Sequence, residues 1–143
     1  MAYVSDDRIV WLSKNEVLYR QVHPGQMKGT EPNYIAFRPM KSHTYTLSTT
    51  REWVGPKRAF QQHIEKGLES AGTWGISVDE CARVDLDAFD DSALPGLPPG
   101  HVSIPFGIPP TDREKDPVLI KKARALTENA IARGCQYRPP WGA

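Results

Sequence analysis

Apolar and polar positions fall into short alternating runs and two longer stretches of helical spacing, with glycine and proline between them. Arg8 to Ser13 (RIVWLS) is a first apolar run, and Val17 to Val22 (VLYRQV) is a strand ended by His23-Pro24-Gly25. The alternation leaves the inward face of that strand open: either Leu18, Arg20 and Val22 share it, or Val17, Tyr19 and Gln21 do. An inward Arg20 needs an anionic partner, from the protein or a ligand, because burying an unpaired charge is costly. Gly25 to Asn33 reads as a loop, and Tyr34 to Phe37 as a short strand stopped by Arg38-Pro39. Thr44 to Thr49 alternates again, with Tyr45 and Leu47 inward and Thr46 and Ser48 on the other face, before a loop carrying Thr50, Arg51 and Glu52.

Gly55-Pro56 opens a helix over 56–69, with Ala59, Phe60, Ile64 and Leu68 on one face and His63 beside it as a packing residue. Thr73 to Asp79 is a central strand with Trp74, Ile76 and Val78 on one face. The acidic connection from Asp79 to Asp91 reads as a solvated loop leading to the proline-rich Leu94 to Gly100. His101 to Phe106 is a further strand, in which Pro105 favours a sheet edge or a strand end. Gly107 to Lys115 is a loop, and Asp116-Pro117 caps and opens a helix over 117–133. That helix carries the stripe Leu119, Ala123, Leu126 and Ala130, and Gly134 ends it. Cys135 to Arg138 adds a short last strand. The elements together predict a single α+β domain, with a mixed or mainly antiparallel twisted sheet of about five or six short strands and two helices.

The chain has 143 residues, of which 39% are hydrophobic and 24% charged, which suits one folded core rather than general disorder. No run approaches the ~18 apolar residues of a membrane span, and the start (MAYVSDDRIVWLSKNE) lacks a signal-peptide pattern, so the expected location is the cytoplasm and no membrane partner is expected. Cys81 and Cys135 form no CxxC pair and read as packed thiols. The net charge of +1 conceals a segregation of +3 over residues 1–72, −6 over 73–116 and +4 over 117–143. A broad duplex-DNA footprint normally needs a dominant basic face, which this pattern does not offer; it suits a local basic pocket, or a basic and an acidic face that each meet a different partner.

The chain holds no Walker A loop, GxGxxG, GxSxG, HExxH or zinc spacing, and no metal site is assigned. Of four dispersed histidines, His23, His43 and His101 lie at strand ends or loops where folding can gather them. His23 or His43 with Glu52 or Glu80 would make a general acid–base pair. The densest polar stretch is Tyr34 to Glu52, where hydroxyls end beside Arg51 in a pattern that suits phosphate, ribose or amide groups.

The run VLYRQVHP (17–24), followed by AFRP (36–39), LS (47–48) and WGISVDEC (74–81), resembles a set of small uncharacterised bacterial proteins. The similarity extends over most of the chain, through KKAR near Lys121 and YRP near Tyr137, and implies a bacterial single-domain protein without naming an activity. An LYR strand followed by a strand ending in LSTT is also similar to ADP-ribosyltransferase-like folds, including the small bacterial toxins of the RES type. In that family a strand arginine or histidine and a later serine or threonine hold NAD, and a glutamate assists at the ribose. The resemblance implies Arg20 in the first role and Ser48 in the second; the third falls to Glu52 or Glu80, neither in a recognisable motif.

The expectation is therefore a cytoplasmic protein that binds a nucleotide-like or phosphate-bearing ligand, NAD among the candidates, in a cleft lined by Arg20, His23, Arg38, Lys41, His43, Ser48 and Arg51. The rival is a non-catalytic interaction module, an antitoxin, immunity protein or accessory subunit, meeting a protein partner through its acidic loop and proline-rich flank. An RNA-acting role would rest on basic residues with Tyr45 and Trp53, and it lacks an RNA-binding signature.

Overall fold

The structure, a computed structural model, describes residues 10–140. Its strands are β1 (Val10–Trp11), β2 (Val17–Val22), β3 (Met27–Lys28), β4 (Glu31–Pro32), β5 (Thr46–Arg51), β6 (Gly72–Ser77), β7 (Phe89–Asp90) and β8 (His101–Pro105). Its helices are α1 (Pro56–Glu65), α2 (Val78–Ala82) and α3 (Pro117–Arg133). Six of the strands form one antiparallel sheet in the order β1–β7–β8–β5–β2–β6, and β3 and β4 pair separately as a hairpin. The result is a single α+β domain.

The apolar stripe of α3 explains its place. Leu119, Ala123, Leu126 and Ala130 are buried in a core with Leu18, Val22, Leu47, Trp74, Ile76, Val102 and Ile104 from the sheet. Each such leucine or isoleucine contributes about 1.5–3 kcal/mol of burial. Helix α1 contributes the buried Ala59 and Phe60 and packs on β2 and β6, and every residue of β6 is buried. Leu18 and Val22 lie fully inside, which puts Arg20 on their face of β2 and answers the question its alternation left open.

Several local expectations are corrected. Tyr34–Phe37 is a 3-10 turn rather than a strand: the Asn33 side chain accepts from the Ile35 N–H, and the Arg38 N–H bonds back to Ile35 O. Val78 and Asp79 leave the predicted strand and begin α2, because Ser77 and Glu80 form a reciprocal capping box. Helix α1 ends at Glu65, four residues early, where Gly67 takes a positive φ of 81°, and Leu68 is left 49% exposed. The loop from Gly25 to Asn33 holds the β3–β4 hairpin. Strand β5 runs on through Thr50 and Arg51, which pair with β2.

Pro105 closes β8, which is internal to the sheet, so its missing N–H falls at a strand end. The last predicted strand is reduced to a single bridge, Thr73 to Tyr137. Of the run Arg8 to Ser13, Val10–Trp11 pair with β7, while Arg8 and Ile9 lie outside the described residues. Among the described residues, no helix is long and apolar enough to cross a membrane.

Candidate functional site

Strand β2 is paired with β6 along its whole length, from Val17–Ser77 to Val22–Gly72. With β5 it keeps only Leu18–Arg51 and Tyr19–Thr50, and beyond Tyr19 the two strands part. Arg20 occupies that opening. Its Nη1 donates to the Ser48 carbonyl at 2.9 Å, which a continuous ladder would have used, and its Nε to the Ala36 carbonyl of the 34–37 turn at 2.9 Å. Both partners are neutral. Desolvation pushes the Arg20 pKa down to about 10, which leaves the side chain cationic at neutral pH, and no ion pair of Arg20 is present among the described residues.

A cleft of about 440 Å³ opens at this point and shares lining residues with an adjoining cavity of about 80 Å³. Arg20, Gln21, Ser48, His63, Lys66 and His101 line both. One wall comes from α1 and its C-terminal turn, where Ala59, Gln62, His63 and Lys66 follow helical spacing on a single face. The floor comes from the sheet: Tyr19, Thr50 and His101 stand opposite one another across β2, β5 and β8. Gly96, Leu97 and Pro98 form a further wall, which assigns the proline-rich stretch to the cleft. His23 and His43 stand on the outer wall, so all four histidines of the chain border one cavity. Among the described residues they form no group that could hold a metal ion.

The charge here is lopsided. Arg20 and Lys66 enter with the histidines, and the carboxylate on the wall is Glu69, whose Oε1 lies 3.9 Å from His23 Nε2 at the solvent edge. Burial, helped by the positive charges of Arg20, Lys66 and His23, lowers the His63 pKa against a backbone hydrogen bond that favours its protonated form.

His101, on the cleft wall, is held through its Nδ1. Its Nδ1 lies 2.6 Å from Asp91 Oδ1, and Ser103 Oγ donates to Asp91 Oδ2 at 2.6 Å. Asp91 is 2% exposed, and the hairpin between β7 and β8 brings it back beside its partners. The acidic segment is thus not a fully solvated loop. Asp90 and Asp91 are internal, Asp79 pairs with Arg83, Glu80 with Arg133, and Asp85 and Asp87 remain exposed.

The expected site residues divide accordingly. Arg20, His23, His43 and Ser48 line the cleft, with Ser48 exposed on the outward face assigned to it. Arg38 and Lys41 instead face Glu114 at 3.8 Å and Asp112 at 3.2 Å, pinning the 107–115 loop. Arg51 is gripped by both oxygens of Glu16 at 2.8 Å and by Asp90 at 3.1 Å, and those bonds raise its pKa. Glu52 accepts from the Val17 N–H at 2.8 Å beside a separate groove, and Glu80 is occupied by the α2 cap and by Arg133. The acid–base pairing of His23 or His43 with Glu52 or Glu80 does not form. His23 Nδ1 accepts the Gly25 N–H instead.

Sequence reasoning missed His63, Lys66 and Asp91 as cleft residues. The spacing of Gln62, His63 and Lys66 was available as a second stripe on α1, whereas nothing local marks Asp91. The thiols stay out of this chemistry: burial pushes Cys81 up to about 12, and half-buried Cys135 directs its sulfur toward the Tyr137 carbonyl. No family model, curated protein or solved structure matches the chain.

Proposed function

We propose that the cleft binds a nucleotide-like, phosphate-bearing ligand, with Arg20 and Lys66 on its phosphates and the Leu97–Pro98 wall against its base. The observation that carries this reading is Arg20: a desolvated cation whose hydrogen bonds go to two neutral carbonyls, placed where the sheet opens to solvent. A bound phosphate supplies the missing countercharge, and a charge-assisted hydrogen bond is roughly twice as strong as a neutral one. The cavity of about 440 Å³ lies within the range of small-ligand sites.

NAD belongs with the ligands to be tested, and Arg20 and Ser48 are the residues that would meet it. Glycosidic cleavage of NAD also asks for a carboxylate at the ribose. Glu52 and Glu80 are engaged away from the cleft, at the Val17 N–H and at Arg133.

Thermal shift and calorimetry with ADP, AMP and NAD test it. A ligand at a hundredfold excess over its Kd adds about 2.7 kcal/mol of stability. Lys66→Ala, at an exposed position, is expected to weaken ADP binding at least tenfold with the melting temperature of the free protein unchanged. Arg38→Ala leaves binding intact, since that side chain faces Glu114. Absence of a shift with every phosphate-bearing nucleotide would refute the reading.

A further inference from the structure

We propose that the cleft is hydrolytic, with His101 as the catalytic base that activates water against a phosphoanhydride and Asp91 as the residue that positions it. The inference rests on the nucleotide-binding reading above and adds a reaction to it. The buried Asp91 carboxylate, 2.6 Å from His101 Nδ1, accepts a hydrogen bond from that nitrogen and another from Ser103 Oγ. With Nδ1 carrying the hydrogen, Nε2 is the ring nitrogen with a lone pair, and no hydrogen bond to Nε2 occurs among the described residues. His101 lines both cavities, as do the cations Arg20 and Lys66 and the hydroxyl-bearing Ser48.

A structural histidine has both nitrogens occupied by the protein or one turned to bulk solvent. This one has a side chain only 11% exposed, lines the cleft that Arg20 and Lys66 enter, and has no protein partner for its second nitrogen among the described residues. Arg20 and Lys66 hold the nonbridging oxygens of the ligand. Water bonds to phosphorus through its oxygen while its proton passes to His101 Nε2, and the bridging P–O bond breaks. The electron pair of that bond stays on the bridging oxygen, which departs as a phosphate anion, so the leaving group requires no acid. Asp91 stabilises the imidazolium that forms, and the proton is then released to solvent. The carboxylate also fixes the tautomer, which gives it an effect on rate without contact to the substrate.

The test uses ADP and NAD with the full chain, following products by chromatography and binding by calorimetry on the same samples. The expected result is AMP from both nucleotides. His101→Gln is expected to lower the rate about 10²–10⁴-fold while the Kd for ADP changes less than about threefold. Asp91→Asn is expected to lower kcat with little change in KM. Nitrogen-detected NMR of the unsubstituted protein at pH 7.5 provides a readout that needs no variant to fold. Protonated Nδ1 and bare Nε2 are expected at His101. Binding of ADP without AMP release overturns the proposal and leaves the binding reading standing. AMP release that survives His101→Gln, nicotinamide in place of AMP from NAD, or an Nε2–H tautomer also overturns it. Absence of binding overturns both readings together.

Discussion

His63 shows how one residue records the electrostatics of its surroundings. The hydrophobic pattern placed it beside the apolar stripe of α1, and a packing role followed from that position. The stripe was real at Ala59 and Phe60, but the adjacent positions Gln62, His63 and Lys66 face the cleft. Desolvation comes first among the causes that lower the His63 pKa, and the charges of Arg20, Lys66 and His23 add to it. Below pH 6.5 the unfolded chain takes up a proton at this residue before the folded protein does, so stability falls as pH drops from that value through the lowered folded one. His63→Gln is expected to flatten the stability profile between pH 7.5 and 5.5, measured by urea unfolding. An anionic ligand acts in the opposite sense by favouring the imidazolium. ADP affinity is therefore expected to rise over the same pH interval in the native protein, and less so in His63→Gln.

At the scale of elements, legibility tracked how local the determining interaction was. Helix α3 was readable to its last residue because Asp116, Pro117 and Gly134 fix its ends and its stripe fixes its face. Helix α2 was also written locally, as Ser77-Val78-Asp79-Glu80, yet the alternation of Trp74, Ile76 and Val78 obscured it. The 3-10 turn at 34–37 is different: four apolar residues fit either state, and their packing on α3 and the neighbouring Asn33 decide. Glu80 belongs to this scale. Burial works to raise its pKa, but bonds from Arg133 and Ser77 outweigh that and hold it below the ordinary carboxylate range. Glu80→Ala removes the backbone cap and leaves Arg133 without its carboxylate, at a cost of about 1–3 kcal/mol. Denaturant unfolding is the check. The deficit should be present above pH 4.5 and close as the pH falls through the lowered pKa of Glu80. Binding of ADP should remain, because this carboxylate stands away from the cleft.

Over the whole molecule, the cleft was hidden in the sequence because its parts come from β2, β5, β8, α1 and the proline-rich loop. Strand alternation placed Ser48 on its outward face but left the face of Arg20 open, and Arg20 entered as a candidate through its need for an anionic partner. The separation of β2 from β5 that gives them a purpose is a property of register, and no single segment encodes it. The Asp91–His101 contact depends on the return of β7 onto β8, and the acidic composition around Asp91 pointed toward solvent instead. Global charge pulls the same way. Arg38, Lys41 and Arg51 each face acidic partners, which leaves Arg20 and Lys66 as the lysine and arginine side chains lining the cleft. This predicts how binding responds to salt. A polyelectrolyte held by many phosphate contacts loses about 10³–10⁵ in affinity between 50 and 200 mM salt. A ligand held chiefly by Arg20 and Lys66 inside a partly desolvated cleft is screened far less, so ADP affinity is expected to fall less than about tenfold over that range. Calorimetry at the two salt concentrations decides the matter, with a short single-stranded RNA as competitor. A weak salt effect and no displacement by RNA place the affinity in the local cleft. A loss near 10³, or displacement of ADP by RNA, would make an extended nucleic acid the better fit to the molecule.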